Sequence, residues 1–152
     1  MTLVKTYEAA MGAMNQALRH HRLSAAGRQA LAVLDGAGGA LSPTAIAERL
    51  LVTTASMTSL LDTLERRGLL TRSPDPDDRR KLLVALTDDG RQIVGEFLPE
   101  IVAVQTAIMA GLPEAERQQF LHALATIRHT IDTIDPAAVV AAALPRGAPR
   151  HG

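Results

Sequence analysis

The sequence contains no cysteine and very few aromatic residues. A chain without cysteine has no disulfide framework, no cysteine-ligated zinc site and no thiol switch. Tyr7, Phe97 and Phe120 are its only aromatic residues of the Phe, Tyr and Trp types. Three aromatic rings are too few for a surface on which successive bases stack, or for an aromatic cage that binds a cation. Recognition through aromatic stacking is therefore not expected.

The sequence also lacks a net charge, because 16 lysines and arginines balance 16 acidic residues. Non-specific nucleic-acid binding depends on neutralising phosphates, so this balance argues against it. It does not exclude sequence-specific DNA binding, since a local row of arginines suffices when a dimer doubles it. With 47% apolar residues, one domain with a sizeable core and an attached oligomerisation region is predicted.

Segments that would direct the chain to a membrane are missing as well. No apolar run approaches the roughly 20 residues that span a bilayer. The N-terminus lacks the basic start and apolar core of a signal peptide. We therefore expect a cytoplasmic protein.

Catalytic patterns are equally scarce. The sequence has no nucleophile–base pair, glycine-rich phosphate loop or metal-ligand spacing, so we predict neither an enzyme nor a cofactor. His20 and His21 close the first predicted helix, where they are interpreted as a cationic, solvated helix end. His122 and His129 lie seven residues apart on the last long helix, and scattered histidines are usually polar surface. No metal site is predicted.

Residues 42–68 have the pattern of two helices joined by a tight turn. Ser42 and Pro43 form a strong helix start, and Thr53 can cap the second helix. The apolar residues of that helix fall at positions 57, 60, 61 and 64, one stripe of a 3.6-residue period. Gly68 ends it. The opposite face is small and hydroxyl-rich, which permits a close approach to a groove.

A β-hairpin is predicted next. Leu82, Val84 and Leu86 alternate along its second strand, which places them on one inward face. The preceding segment, residues 74–78, favours a turn rather than a strand. Thr87 then caps a long helix. A helix with a small polar start, followed by a hairpin with a charged tip, is typical of a winged helix that binds DNA.

The flanking segments are predicted to be helical. Residues 1–22 and 91–135 carry apolar stripes and are expected to form a dimerisation region around a DNA-binding lobe at residues 23–90. Pro99 should kink or interrupt the long helix. Residues 136–152 form a separate C-terminal segment, predicted as a short alanine- and valine-rich helix followed by a mobile tail.

Three motifs in register resemble the MarR (multiple-antibiotic-resistance regulator) family. They are LERRGLL at 64–70, DPDDRR at 75–80, and Asp78-x-Arg80 followed, after five residues, by Leu86-Thr87-x-x-Gly90. The resemblance implies a mainly α fold with a small β-hairpin wing, and a homodimer on a pseudo-palindromic double-stranded DNA operator. It also implies a repressor, or occasionally an activator, released by a small phenolic or anionic effector. Many relatives carry an arginine on the recognition helix around the position of Thr63.

The predicted site residues fall into four groups. Arg80 is expected to enter the minor groove from the wing, supported by Asp78 and accompanied by Arg79. The major-groove candidates are small residues on the outer face of the recognition helix: Thr54, Ala55, Thr58 and Ser59. The phosphate candidates are hydroxyls at helix starts and nearby arginines: Ser42, Thr44, Thr53, Ser56, Arg66 and Arg72. The effector-pocket candidates are Met11, Met14, His21 and Phe97.

The residues leave one alternative function open. The same winged helix could use its outer face to bind another protein instead of DNA, and the formal neutrality of the chain favours this hypothesis. Co-purification of a stable hetero-complex, with binding unchanged after removal of the wing arginines, would favour it.

Overall fold

The computed structural model describes residues 2–50 and 53–143, and of Thr54 and Ala55 the backbone alone. It is mainly helical with one β-hairpin, as predicted. The elements in chain order are α1 (Thr2–Ala17), a 3₁₀ turn (Arg19–His21), α2 (Ala25–Ala37), α3 (Pro43–Leu50), α4 (Thr54–Arg66), β1 (Leu70–Pro74), β2 (Leu82–Leu86), α5 (Asp88–Met109), α6 (Glu114–Thr133) and α7 (Pro136–Ala143). The chain divides into two compact units between Ile108 and Met109.

The helix starts follow from side-chain caps. Ser24, Ser42 and Thr53 each accept a hydrogen bond from the backbone N–H three residues further on, at 3.0, 3.2 and 3.3 Å. Each cap satisfies one of the N–H groups that have no partner within the helix. At the other end of α4, Gly68 adopts a left-handed φ of 71°, a conformation that glycine accepts without strain.

One hydrophobic core joins α2, α3, α4, the hairpin and the first half of α5. From α4 it receives Met57, Leu61 and Leu64, while Leu60 is only partly buried at its edge. Phe97 of α5 is completely buried. The other fully buried large side chains are Leu18, Leu31, Leu34, Ile46, Leu70, Val84 and Val94.

The hairpin extends from this core. Its strands are antiparallel, and Pro74 at the end of β1 pairs with Leu82, so Pro74 belongs to the strand rather than to the turn. Val84 and Leu86 are buried as predicted, but Leu82 is 47% exposed. The prediction for Leu82 was wrong because this end of the hairpin projects beyond the core. The backbone of Leu41 adds hydrogen bonds to Val84 of 2.9 and 2.8 Å.

The start of α5 packs directly against the base of the hairpin. Thr87 Oγ1 accepts from the N–H of Gly90 at 3.0 Å and donates to the carbonyl of Gly68 at 2.6 Å. A Cβ atom on Gly90 would lie 1.9 Å from the carbonyl oxygen of Leu69, so this contact requires glycine. Pro99 does not interrupt α5, which continues to Met109; the predicted interruption was wrong, and the helix tolerates one missing hydrogen bond.

Helices α1, α6 and α7, called the outer helices below, differ from the helices that form the core. Among the described residues, neither α1, α6 nor α7 has a buried side chain. The apolar stripe predicted on α6 is present but lies exposed: Phe120, Leu121, Leu124, Ile127, Ile131 and Ile134. The alanine- and valine-rich segment forms α7 as predicted, while residues 144–152, predicted as a mobile tail, lie outside the described residues.

Within the described part of the chain, no single helix is long and apolar enough to cross a membrane. The two helices α5 and α6 reach the required length and composition only as a pair with a break between them.

Candidate nucleic-acid interface

The outward face of α4 is small and polar at its N-terminal end. Thr53 caps the helix and donates from Oγ1 to Ser56 Oγ at 3.0 Å, and both side chains are exposed. Thr58 and Ser59 are exposed on the same helix, opposite the buried stripe. The side chains of the other two major-groove candidates, Thr54 and Ala55, lie outside the described residues. A hydroxyl-rich surface without large side chains permits close contact with base edges.

Arg66 supplies positive charge to the outward face of α4. Its Nε donates to the carbonyl of Asp62 and its Nη2 to Thr63 Oγ1, each at 3.3 Å. Thr63 in turn donates to the carbonyl of Ser59 at 3.0 Å. The guanidinium therefore rests beside Thr63.

Arg72 connects the hairpin to α4. Its Nη1 lies 2.6 Å from Asp62 Oδ1 and 3.1 Å from Glu65 Oε2, and its Nη2 donates to the carbonyl of Thr58 at 3.4 Å. The Arg72 side chain is only 20% exposed. Its charge is thus neutralised within the chain, and the geometry favours a positioning role for Arg72 over the predicted phosphate contact.

The tip of the wing presents Arg80 to solvent. Asp78 Oδ1 accepts from the Arg80 backbone N–H at 3.1 Å and lies 3.4 Å from Arg80 Nε. Asp78 Oδ2 is 3.8 Å from Lys81 Nζ. The Arg80 side chain is 92% exposed, and Arg79 is also exposed. Asp78 therefore pairs with a neighbouring arginine and shapes the turn, as the sequence predicted.

The remaining phosphate candidates lie around α3. Ser42 caps that helix and is half-buried, while Thr44 in its first turn is exposed. A helix start combines free N–H groups with the positive end of the helix dipole, which suits a phosphate. Thr44 is therefore placed where such a contact is possible, and Ser42 supports it as the cap.

The effector-pocket candidates divide between the core and its edge. Phe97 is completely buried, Met14 packs against the core and Met11 is partly buried. His21 is buried and meets Phe97 edge-on, with ring centroids 6.1 Å apart. The interpretation of His21 as a solvated helix end was therefore wrong, because the 3₁₀ turn folds it inward.

His21 is held by Glu100, a residue that the sequence did not single out. Its Nε2 lies 3.1 Å from Glu100 Oε2. The pKa of the Glu100 carboxyl lies below its ordinary value: desolvation acts to raise it, but hydrogen bonds and charge interactions with His21 and His20 outweigh that effect. No sequence signal links these residues, because 79 positions separate them.

Two arginines that the sequence did not single out tie the segment between α1 and α2 to its surroundings. Arg28 is buried and donates to the carbonyl of Leu23 at 2.8 Å and to Asn15 Oδ1 at 2.6 Å. Burial lowers the pKa of Arg28. Arg67, directly after α4, donates from Nη2 to the carbonyl of His21 at 3.2 Å and from Nη1 to that of Arg22.

Taken together, α3, α4 and the hairpin form a winged helix-turn-helix. Comparison with known proteins agrees: residues 23–81 match the model of the MarR family. The transcriptional repressor YetL of Bacillus subtilis (strain 168) is 35% identical over 92 residues, or 60% of this chain and 55% of YetL. The chain spans about half to two thirds of the length of the curated relatives it matches, with values of 55%, 64% and 47% for three of them.

Solved structures extend the similarity over most of the chain. Bordetella bronchiseptica BpsR, whose DNA binding is regulated by 6-hydroxynicotinic acid, is 30% identical, with a TM-score of 0.77 over 88% of this chain and 92% of that one. A MarR variant from E. coli in complex with operator DNA shares the fold, with 23% identity and a TM-score of 0.76 over 83% of this chain and 90% of its own. The chain belongs to the MarR family, a family of transcriptional regulators rather than enzymes.

Proposed function

We propose that the chain is a homodimeric, sequence-specific DNA-binding transcriptional regulator that acts in the cytoplasm as a repressor released by a small molecule. In this proposal α4 enters the major groove and Arg80 enters the minor groove. The names of curated relatives, among them the repressors YetL and MdtR of Bacillus subtilis, support a repressor role.

One observation carries the DNA-binding proposal: the exposed face of α4 and the hairpin are joined by side-chain contacts. Arg72 of β1 bonds to Asp62 and Glu65 of α4, while the hairpin holds Arg80 at its tip, 92% exposed. A helix and a wing that are fixed to each other can contact neighbouring grooves without reorganisation, which lowers the entropic cost of binding.

The dimer is proposed from the exposed apolar surface of the outer helices. The α6 stripe keeps between 37% and 63% of each large side chain exposed, and Leu3, Val4 and Tyr7 of α1 are 60–66% exposed. Exposed apolar side chains of this kind along a helix are typical of an interaction site. Two-fold pairing would place two α4 helices about 34–36 Å apart, one turn of B-DNA.

The effector is proposed to bind near His21 and Phe97, with Met11 and Met14 nearby on α1. BpsR, which is regulated by 6-hydroxynicotinic acid, supports a small phenolic or anionic compound. An effector at this place would contact the 3₁₀ turn that contains His21. Arg67, which directly follows α4, donates hydrogen bonds to the backbone carbonyls of His21 and Arg22. A change in that turn would alter the position of the recognition helix.

The DNA-binding proposal is tested by replacing Arg80 with alanine. Loss of a good groove contact costs about 1–3 kcal/mol, so we expect the dissociation constant of Arg80→Ala to rise by about 5- to 150-fold. Fluorescence anisotropy on a duplex recovered by binding selection measures this change. The slope of log Kd against log salt concentration should also become shallower.

Arg91→Ala is the matched control, because it removes the same charge from a residue outside the predicted interface. Its DNA affinity should stay close to that of the unchanged chain. Equal affinities for Arg80→Ala and Arg91→Ala would contradict the minor-groove role. Binding of a partner protein that is unaffected by loss of Arg79 and Arg80 would favour the alternative of a protein-interaction module.

A further inference from the structure

Two histidines and a glutamate meet where the segment after α1 approaches α5. His20 and His21 belong to the 3₁₀ turn, and Glu100 lies on α5, 80 and 79 residues later. One potential ligand atom from each residue lies within 4.8 Å of the other two. His20 Nε2 is 3.3 Å from Glu100 Oε1, and His21 Nε2 is 3.1 Å from Oε2. The three side chains thus lie close enough together to be considered as ligands of one ion.

The protonation of His20 follows from its second hydrogen bond. His20 Nδ1 lies 3.1 Å from the carbonyl oxygen of Ala17, and a carbonyl only accepts, so Nδ1 carries a proton. His20 Nε2 is then the ring nitrogen that faces a carboxylate oxygen of Glu100, at 3.3 Å. Two electron-rich atoms at this distance need a cation between them, either a second ring proton or a metal ion. A backbone carbonyl that holds the far N–H is typical of metal-binding histidines.

The spacing of the three groups fits a tetrahedral metal ion. Zinc–nitrogen and zinc–oxygen bonds of about 2.0–2.1 Å place neighbouring ligand atoms of a tetrahedron about 3.3 Å apart. The observed separations are 3.3 Å from His20 Nε2 to Glu100 Oε1 and 3.1 Å from His21 Nε2 to Glu100 Oε2, and one ligand atom from each residue lies within 4.8 Å of the other two. A shift of the exposed His20 and Glu100 side chains would bring all three residues to bonding distance of one ion.

We propose that His20, His21 and Glu100 bind one divalent transition-metal ion of the zinc type, with a fourth position open to water or an anion. Two imidazoles and one carboxylate are a ligand set that zinc uses in open sites. The His21 side chain is 6% exposed and is fixed against Phe97, whereas those of His20 and Glu100 are 57% and 40% exposed. The buried ligand fixes the site, and the exposed ligands admit the ion from solvent.

The proposal revises the sequence-based expectation of no metal site. That expectation considered His122 and His129, which are exposed on α6. The residues proposed here come from two segments far apart in the sequence, and the fold brings them together. Their spacing along the chain carries no metal-binding signature.

Arg67 connects the proposed metal site to the recognition helix. It bonds to the carbonyls of His21 and Arg22, and Arg22 has a left-handed φ of 53°, which is uncommon for a residue other than glycine. A metal ion that fixes the turn would act through these bonds on the C-terminal end of α4. This linkage rests on the proposed function, and we expect metal occupancy to change DNA affinity.

Metal binding is tested on the full chain without DNA. The chelator-treated protein is titrated with Co²⁺, followed by the visible absorption of the four-coordinate ion, and then with Zn²⁺ in competition. We expect one ion per chain. In Glu100→Gln the affinity should fall by at least about 100-fold, more than the 10- to 100-fold typical for loss of a residue that only orients a ligand. No absorption and no Zn²⁺ binding would overturn the proposal, leaving a histidine–glutamate ion pair.

Matched variants test whether the loss of Co²⁺ binding is specific to the proposed ligand residues. Glu96→Gln lies one turn earlier on α5, where Glu96 bonds to Gln92, and it should leave Co²⁺ binding unchanged. His20→Gln, at an exposed position, should weaken binding as Glu100→Gln does and provides the test if the latter fails to fold. His122→Gln should have no effect. Equal Co²⁺ affinities in Glu100→Gln, His20→Gln and Glu96→Gln would overturn the site.

The linkage needs a second measurement. Zn²⁺ should change the dissociation constant of the selected DNA duplex by at least about 5-fold, the lower end of typical coupling between sites. Arg67→Gln should keep Co²⁺ affinity and lose this change. Metal binding without any effect on DNA affinity would overturn the linkage alone. Metal binding by a chain that binds no selected DNA would contradict the proposed function and leave the metal site intact.

Discussion

The two phenylalanines of the chain lie in regions of opposite character. Phe97 is completely buried in the core shared by α5 and the winged helix, whereas Phe120 on α6 is 41% exposed. The first region already encloses its apolar side chains within one chain. The second presents a row of them to solvent. The difference indicates that the winged lobe is stabilised by its own packing, whereas the apolar side chains of α6 stay exposed and are available to the proposed dimer.

The largest predicted effect comes from truncating one phenylalanine of each region. Phe97→Ala should lower the free energy of unfolding by about 3–5 kcal/mol, because it leaves a cavity in a closed core. Phe120→Ala should instead raise the dissociation constant of the dimer. Chemical denaturation at several protein concentrations separates the two, since only the loss in Phe120→Ala should depend on concentration. An equal, concentration-independent loss in both variants would contradict the comparison.

The second prediction concerns the contact between α5 and the hairpin. Gly90→Ala should cost about 3 kcal/mol, the upper range for overpacking, because its Cβ would lie 1.9 Å from the Leu69 carbonyl oxygen. Thermal or chemical unfolding measures this cost.

Gly95→Ala, one turn further along the same helix, is the matched control. Its Cβ would meet nothing within 4 Å, so the substitution should stabilise the chain by up to about 1 kcal/mol through helix propensity. Similar losses in both variants would show that α5 does not approach the hairpin in this way.

The smallest effect is expected for the link between hairpin and recognition helix. Arg72→Ala removes the pairs to Asp62 and Glu65, whose side chains are 50% and 39% exposed. Solvent screens such pairs, so we expect a loss in unfolding free energy below about 1 kcal/mol. DNA affinity should fall by more than this loss explains, because the wing is no longer held against α4. A chain with full DNA affinity would exclude the positioning role.

Local features of the fold could be predicted from the sequence because they depend on neighbouring residues. The caps at Ser24, Ser42 and Thr53 and the 3.6-residue stripe of α4 each follow from a few adjacent positions, and the structure confirms them. The alternation along β2 was read correctly at Val84. It failed at Leu82 because alternation alone does not show where the core ends.

Features that depend on distant contacts could not be predicted. The burial of His21 and its contact with Glu100 arise only when α5 meets the turn after α1. The same holds for Arg72, whose acidic partners lie on another element. A charged or polar residue is exposed by default, so the sequence placed Arg72 on the surface and His21 at a solvated helix end, although His21 was also an effector-pocket candidate. The wing tip was accessible to prediction because Asp78 and Arg80 are two residues apart.

We propose above all that two copies of the α4 helix and its wing are held at a spacing that matches one turn of DNA. Binding selection on random double-stranded DNA with the purified full chain tests it most directly. We predict an enriched inverted repeat with half-site centres about 34–36 Å apart. The absence of any enriched motif, or the enrichment of a single half-site without two-fold symmetry, would contradict it.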